Sequence, residues 1–398
     1  MNTPFFTIVI PTKNRPVLLK DAIKSVLNQN FDDFELIVSD NFNEQETQNV
    51  IQEFNNDPKF HSIRTNQEMS MIDHWEFATK HAVGKYVIVL ADRKVLYQNA
   101  LKKIATTIKK FPEINAFSFG VQTYNEQTNR MGWNNAIGKT KVYQTKDLIE
   151  NFLTENIFSN QSLDLYFPKT LNGCYKNSYA ADVRTISGNY FNNIGVTTPD
   201  YSSFFVNCTL NKEIVYIGEK LILTQGEQAS NGRIFGAGNF HNYMNSLGLK
   251  DPYQDVEIKA PLIYNLLTID FLKIQKYFGG NLSTFTVDFQ NYFSTNYYEI
   301  LFKMEQGLSL EGELYFKEKW QGAIEKHDPS LTLSEKVLID QVEANFKKRN
   351  VPMKWDKQKR LKQHLHDYMA LRYSEKSKLN KIFTFKFQNI FHAAGFKK

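Results

Sequence analysis

Gly84-Lys85-Tyr86-Val87-Ile88-Val89-Leu90-Ala91-Asp92-Arg93-Lys94 holds an apolar run that ends in one carboxylate and two cations. A short apolar run bounded by turn residues reads as a strand buried on both faces. Strands of that kind belong to parallel sheets covered by helices. The pattern resumes as a helix at about 97–110, so Asp92, Arg93 and Lys94 are expected at a strand-to-helix junction. In open α/β sheets such junctions, at the carboxyl ends of the strands, are where ligands bind.

The same grammar repeats upstream. Phe5-Phe6-Thr7-Ile8-Val9-Ile10 reads as a buried strand stopped by Pro11. Pro16 sits where a helix begins without losing an amide donor. Leu18, Leu19, Ala22, Ile23, Val26 and Leu27 then recur at helical spacing. Phe34-Glu35-Leu36-Ile37-Val38-Ser39 is the next strand, ending at Asp40-Asn41, and the three elements make a right-handed parallel crossover. A polar helix at about 44–55, a short strand near Ile63 and a helix at about 71–82 lead into the strand at 86–91. The alternation predicts an α/β fold with a mostly parallel central sheet. Pro11–Arg15, Asp40-Asn41 and Asp92–Lys94 should converge on one edge of it.

Beyond residue 115 periodicity weakens. Phe117-Ser118-Phe119 and Ile214-Val215-Tyr216-Ile217 read as strands, and Gln228–Asn242 as a Gly- and Asn-rich loop or lid. After Pro261, Leu262, Ile263, Leu266, Leu267, Phe271, Ile274 and Phe278 form a helical stripe ending at Gly279-Gly280. Further helices are expected at about 285–305, 311–327, 333–348 and 356–373. We place the domain boundary near 250–260, with residues 1–255 as the sheet domain and 256–398 as a helical region ending in a basic amphipathic tail.

A chain of 398 residues exceeds one ordinary domain. Its two cysteines, Cys174 and Cys208, do not form a disulfide framework, which points to a reducing cytoplasm. Met1-Asn2-Thr3-Pro4 leads straight into a strand, so no signal peptide is expected, and no apolar run is long enough to span a bilayer. The net charge of +6 is uneven: residues 347–398 hold 15 Lys and Arg against 3 Asp and Glu, a net +12, which leaves −6 for the rest. The basic character belongs to the tail.

Three ordered stretches carry a resemblance: Thr7-Ile8-Val9-Ile10-Pro11-Thr12-Lys13-Asn14-Arg15, Ser25-Val26-Leu27-Asn28-Gln29 and Leu36-Ile37-Val38-Ser39-Asp40-Asn41. With Met71-Ile72-Asp73-His74-Trp75-Glu76-Phe77-Ala78 and Ala82-Val83-Gly84-Lys85-Tyr86, the series resembles family 2 glycosyltransferases of the GT-A fold. The likeness is strong over about 5–110, weak over 165–235, and absent from the C-terminal third. It implies that Pro11, Thr12 and Arg15 lie by the nucleotide and that Asp40, with Asn41, contacts base or ribose. A strand-end carboxylate can accept hydrogen bonds from a ribose hydroxyl; Asp40-Asn41 also fits a plain turn or cap.

Asp92 falls on the first acid of the family's metal-binding Asp-x-Asp motif, whereas Arg93 and Lys94 fall on positions usually acidic. A divalent ion (Mn or Mg) wants several oxygen ligands, and two neighbouring cations oppose it. Asp92 is therefore a doubtful metal ligand, and Arg93 or Lys94 could face the donor diphosphate instead. The competing readings are solvated loop cations or an inactive, degenerate transferase. Thr197-Thr198-Pro199-Asp200-Tyr201 resembles the family's late acidic motif, with Asp200 as the base for an inverting transfer. Asp200 also suits a helix cap. Arg233, in Ser230-Asn231-Gly232-Arg233, could close over the donor phosphate or belong to an exposed loop.

In the tail, Lys376, Lys378, Lys381 and Lys386 interleave with Ile382, Phe383, Phe385, Phe387, Ile390 and Phe391. This suits an anionic membrane surface, or a helix packed on the body with a basic face. No nucleic-acid module accompanies the charge, so no nucleic-acid partner is expected. The resemblance implies a transferase that takes a nucleotide sugar (a UDP-sugar favoured) and adds it to a glycan or lipid-linked acceptor of bacterial surface polysaccharide, in the cytoplasm or at the periphery of the inner membrane. The helical third would shape the acceptor side, mediate homo-oligomerisation or approach the membrane. The alternative class is a non-catalytic nucleotide- or glycan-binding protein, or a scaffold, that keeps the fold.

Overall fold

The computed structural model describes residues 3–42, 44–125, 130–131, 138–155, 167–225, 240–256 and 258–305, with single positions at 337, 340, 341 and 344. The chain divides into two compact units, Met1–Arg349 and Asn350–Lys398. The expected helices at 311–327, 333–348 and 356–373 and the basic tail lie outside the described residues, save for the single positions just named.

Strands β1 (Phe6–Thr12), β2 (Phe34–Asp40), β3 (Phe60–Arg64) and β4 (Tyr86–Val89) are parallel, in the spatial order β3-β2-β1-β4. The sheet continues through β9 (Gly173–Lys176), β6 (Ala116–Asn125) and β10 (Glu213–Thr224) to β5 (Lys94–Leu96). β7 (Arg130–Met131) and β8 (Lys141–Gln144) flank β6 and β10. Strands β1 to β4, β6 and β10 share one direction, and the four shorter strands run against them. This is the mostly parallel α/β sheet expected.

All seven residues of β1 are buried, so both sheet faces are covered. Ile8 and Ile10 join the core formed by Leu19, Ala22, Ile23 and Val26 of α1 (Pro16–Leu27) and Leu101, Ile104 and Ile108 of α4 (Ala100–Lys110). α2 (Gln45–Gln52) leans on α1, and α3 (Met71–Lys80) covers the opposite face of β1 and β2. Burying each such aliphatic side chain stabilises the fold by about 1.5–3 kcal/mol. Gly84, just before β4, meets β1 so closely that a Cβ there would lie 2.5 Å from the Thr7 nitrogen. Its amide donates to Thr7 Oγ1 at 2.8 Å, which fixes the strand's entry.

The helix expected from about 97 begins at Ala100. β5 pairs antiparallel with β10 and ends at Leu96, and a turn over 97–99, closed by the Ala100 amide on the Tyr97 carbonyl at 2.8 Å, leads into the helix. Within 115–225 the weak periodicity conceals α5 (Thr145–Thr154), β9, α6 (Asn177–Ser187) and α7 (Pro199–Leu210). After α8 (Phe240–Ser246) come α9 (Ile263–Phe278), which packs on α7, and α10 (Phe289–Glu305), which packs on α5 and α9. The buried Glu299 carboxylate of α10 accepts the Ile263 and Tyr264 amides at 2.8 and 3.3 Å, satisfying the first donors of α9. Both cysteines are free and buried, and burial pushes both thiols well above their usual range. Among the described residues no helix is long and apolar enough to cross a membrane.

Candidate functional site

A cavity of about 490 Å³ opens at the carboxyl ends of β1 and β4. Pro11, Thr12, Lys13 and Arg15 reach it from β1 and the turn into α1, and Ala91, Asp92 and Arg93 from the end of β4. Asn41, Met69, His74 and Trp75 close one side. Thr198, Pro199, Asp200 and Tyr201 of α7, with Tyr243 and Ser246 of α8, close another.

Asp92 is buried, and each of its oxygens accepts a hydrogen bond. Arg15 Nη1 donates to its Oδ1 at 3.0 Å and Thr12 Oγ1 to its Oδ2 at 3.0 Å. Arg15 is the residue before α1, and Asn14 beside it adopts φ +51°, which turns the chain sharply between strand and helix. Arg93 Nη1 donates to the Gln225 carbonyl at 3.4 Å and stays on the cavity wall.

Asp200 sits in the first turn of α7, behind the fixed φ of Pro199. Its Oδ1 accepts the Leu171 amide at 2.7 Å, which orients the carboxylate from a different element. The Leu171 carbonyl in turn accepts Lys94 Nζ at 2.8 Å. His74 is buried and exchanges a 2.9 Å hydrogen bond with Ser39 Oγ. Burial lowers its pKa to about 4, so the ring is neutral at pH 7.

Residues 7–164 match the family model described as Glycosyl transferase family 2. This stretch belongs to that family. A GalNAc(5)-diNAcBac-PP-undecaprenol beta-1,3-glucosyltransferase from Campylobacter jejuni subsp. jejuni serotype O:2 is 34% identical over 119 residues, which cover 29% of this chain and 38% of the relative. The chain thus spans well under half the length of that curated relative. Among solved structures, S. aureus TarS superposes with a TM-score of 0.45 at 13% identity, covering 86% of this chain and 55% of that one. Mannosyltransferase PcManGT from Pyrobaculum calidifontis, solved in complex with GDP-Man and Mn2+, gives 0.43 at 11% identity, covering 86% and 87%.

The family 2 stretch brings Pro11, Thr12, Arg15, Asn41, Asp92 and Arg93 to one cavity and adds Asp200 from beyond the matched residues. It does not bring Asp40 or Lys94 to the wall. Asp40 is buried against Gln48 Nε2 and lies 3.5 Å from Arg64 Nε, its partner in β3. Lys94 points along β5 to Leu171. Arg233 lies outside the described residues. Asn41 is held by a two-way bond to the Met69 backbone, at 2.9 and 2.8 Å.

The residues present do not fit a divalent ion. At the Asp-x-Asp position one carboxylate stands alone, and both its oxygens are taken by a guanidinium and a hydroxyl. Among the described residues no group of three or more His, Cys, Asp or Glu could hold a metal. A hard cation needs several such oxygens, and here its place beside the acid is filled by Arg15.

Sequence reasoning passed over Tyr243, the Leu171 peptide and Asp270. Asp270 had a signal: it is a lone acid inside the apolar stripe of α9, between Leu267 and Phe271.

Proposed function

We propose that this chain is a glycosyltransferase that moves a sugar from a nucleotide-sugar donor, a UDP-sugar in the first instance, to a glycan or lipid-linked acceptor of bacterial surface polysaccharide. One observation carries the reading: Arg15, Arg93 and the carboxylate of Asp200 share a single cavity at the carboxyl edge of a family 2 sheet. The curated relative, named for a lipid-linked acceptor, supports that acceptor class.

In this reading Pro11, Thr12 and Asn41 border the nucleotide, and Arg15 and Arg93 take the diphosphate by charge-assisted hydrogen bonds. Asp200 removes the proton from the acceptor hydroxyl. The freed oxygen attacks the anomeric carbon in line, a new C–O bond forms, and the bond to the diphosphate breaks with inversion. The nucleoside diphosphate leaves with the electron pair, and the two guanidiniums stabilise the charge it gains. Asp40 stays behind the cavity wall, against Gln48 and Arg64, and Lys94 braces Leu171, whose amide holds Asp200. The reading places the chain on the cytoplasmic face of the membrane, with its basic tail toward anionic lipid.

The test is nucleotide release from a panel of nucleotide sugars, with thermal shift for binding, each in EDTA and in added manganese. We expect one donor to bind and turn over, with binding and turnover in EDTA within about threefold of those in manganese. No binding across the panel refutes the transferase reading. Turnover lost in EDTA and restored by manganese refutes the assignment of Arg15 and Arg93 to the diphosphate charge.

A further inference from the structure

The segment that carries Asp200 into the cavity is fixed from outside the family 2 stretch. Asp270 lies on α9 and is fully buried. Its Oδ1 accepts the Thr197 amide at 2.5 Å and the Thr197 hydroxyl at 3.0 Å. Its Oδ2 accepts the Thr198 amide at 2.8 Å and also the Thr198 hydroxyl. Four donors from two consecutive residues match what one carboxylate can accept.

Thr198 is the cap residue of α7, and a threonine there ordinarily turns its hydroxyl to a first-turn amide. Here it makes no such bond, and the hydroxyl donates to Asp270. The neighbouring anchors come from the same side. Lys273, also on α9, donates to the Gly195 carbonyl at 2.8 Å and lies 3.8 Å from Asp255. The Thr197 hydroxyl also reaches the Leu266 carbonyl at 3.2 Å, and Tyr243 Oη donates to the Thr197 carbonyl at 3.2 Å. Burial, reinforced by the nearby Asp270 and Asp200, pushes the Tyr243 phenol well up.

A leucine at 270 would simply continue the stripe of Leu266, Leu267, Phe271 and Ile274. A buried carboxylate is poor evidence of stability, because desolvation opposes it even when it is well bonded. Burial raises the Asp270 pKa to about 6 against the pull of all four hydrogen bonds. What the carboxylate supplies is a defined geometry for two residues that directly precede Pro199-Asp200.

We propose that Asp270 is a positioning residue for sugar transfer: it pins Thr197 and Thr198 so that Asp200 presents its carboxylate to the acceptor hydroxyl. This rests on the transferase reading given above. Asp270→Asn is the decisive variant. The amide oxygen can keep the Thr197 donors, but its NH2 group faces the Thr198 amide, donor against donor. The Thr198 N–H then loses its acceptor and the start of α7 shifts.

The experiment measures kcat, donor Kd and the thermal midpoint for wild type, Asp270→Asn and Thr198→Val in the full chain. We expect Asp270→Asn to lower kcat at least tenfold with donor Kd within about threefold, and Thr198→Val, which keeps the amide donor, to lower kcat less. Should Asp270→Asn fail to fold, the double variant Thr197→Val with Thr198→Val removes the hydroxyl half of the same contacts and must lower kcat with Kd retained. Wild-type turnover together with unchanged kcat in the folded variants overturns the positioning role alone. Equal losses in kcat and donor binding overturn it in favour of a purely structural one. A wild-type chain that binds and turns over no donor overturns the transferase reading and the positioning role together.

Discussion

Replacing Asp200 by Asn isolates proton abstraction from architecture. The Leu171 amide donates to Asp200 Oδ1 at 2.7 Å, and an asparagine can offer its amide oxygen to the same donor. Asp200 lies in the first turn of α7, so losing its charge also removes a favourable interaction with the helix N-terminus, worth about 0.3–1 kcal/mol. The fold should therefore survive with a small drop in thermal midpoint. A positioned general base contributes about 10²–10⁴ in rate, which at about 1.36 kcal/mol per decade is roughly 3–5 kcal/mol of barrier. In the proposed function donor binding rests on Arg15, Arg93 and the β1 turn, none of which the substitution touches. The assay is nucleotide release at saturating donor and acceptor, with donor Kd from calorimetry. We expect kcat to fall by at least about a hundredfold with Kd unchanged. Turnover within threefold of wild type would show that Asp200 is a first-turn acid of α7 and no more.

Arg15→Ala removes one proposed diphosphate ligand and takes the guanidinium from the buried Asp92 carboxylate, which keeps its bond from Thr12. Donor affinity measured by calorimetry should fall by about 10–100-fold, the worth of a charged hydrogen bond; an unchanged Kd would remove Arg15 from the donor site. The same variant should lose about 1–3 kcal/mol in urea, less than a fully buried pair because Arg15 is partly exposed. His74 predicts a pH dependence. Its folded pKa of about 4 lies below the ordinary 6.5, so the unfolded chain takes up the proton first as pH falls, and stability is lost across pH 6.5 to 4. Wild type should lose about 3 kcal/mol relative to His74→Gln between pH 7 and 4, and a difference independent of pH would refute the buried neutral ring. Asp270 acts with the opposite sign between pH 6 and 3.8, where the folded chain binds the proton more tightly; it is present in both proteins and cancels.

The parallel half of the sheet was legible because its strands are apolar on both faces and its helices carry clean stripes. Pro11, Thr12, Arg15, Asn41, Asp92 and Arg93 could be placed together because each lies at or just beyond the end of a strand that can be counted. Arg93 and Lys94 looked equivalent in sequence, yet they diverge. Arg93 ends the turn after β4, whereas Lys94 opens β5, a strand of only three residues whose pattern is too short to show in sequence. Asp40 was drawn away by a cross-strand partner: the register of β2 on β3 sets it opposite Arg64, 24 residues further along a polar stretch with no pairing signal. β9 and α6 escaped because small and polar residues interrupt their stripes, and tertiary burial decides them; α7 showed only through the cap reading of Asp200, and its cap is in fact Thr198. Asp270 was visible as a misfit in its helix, but what it holds emerges only once α9 is packed on α7.

The two thiols have a practical consequence. Cys174 and Cys208 are shut inside the protein with their ionisation suppressed, so neither offers a nucleophilic thiolate to an alkylating reagent. A single cysteine placed at Ser246, on the exposed rim of the cavity, would then be the one position among the described residues to take a maleimide dye. The natural chain is in effect already a labelling background, and its emission could follow a molecule arriving in the cavity in real time without first engineering any residue out of the core.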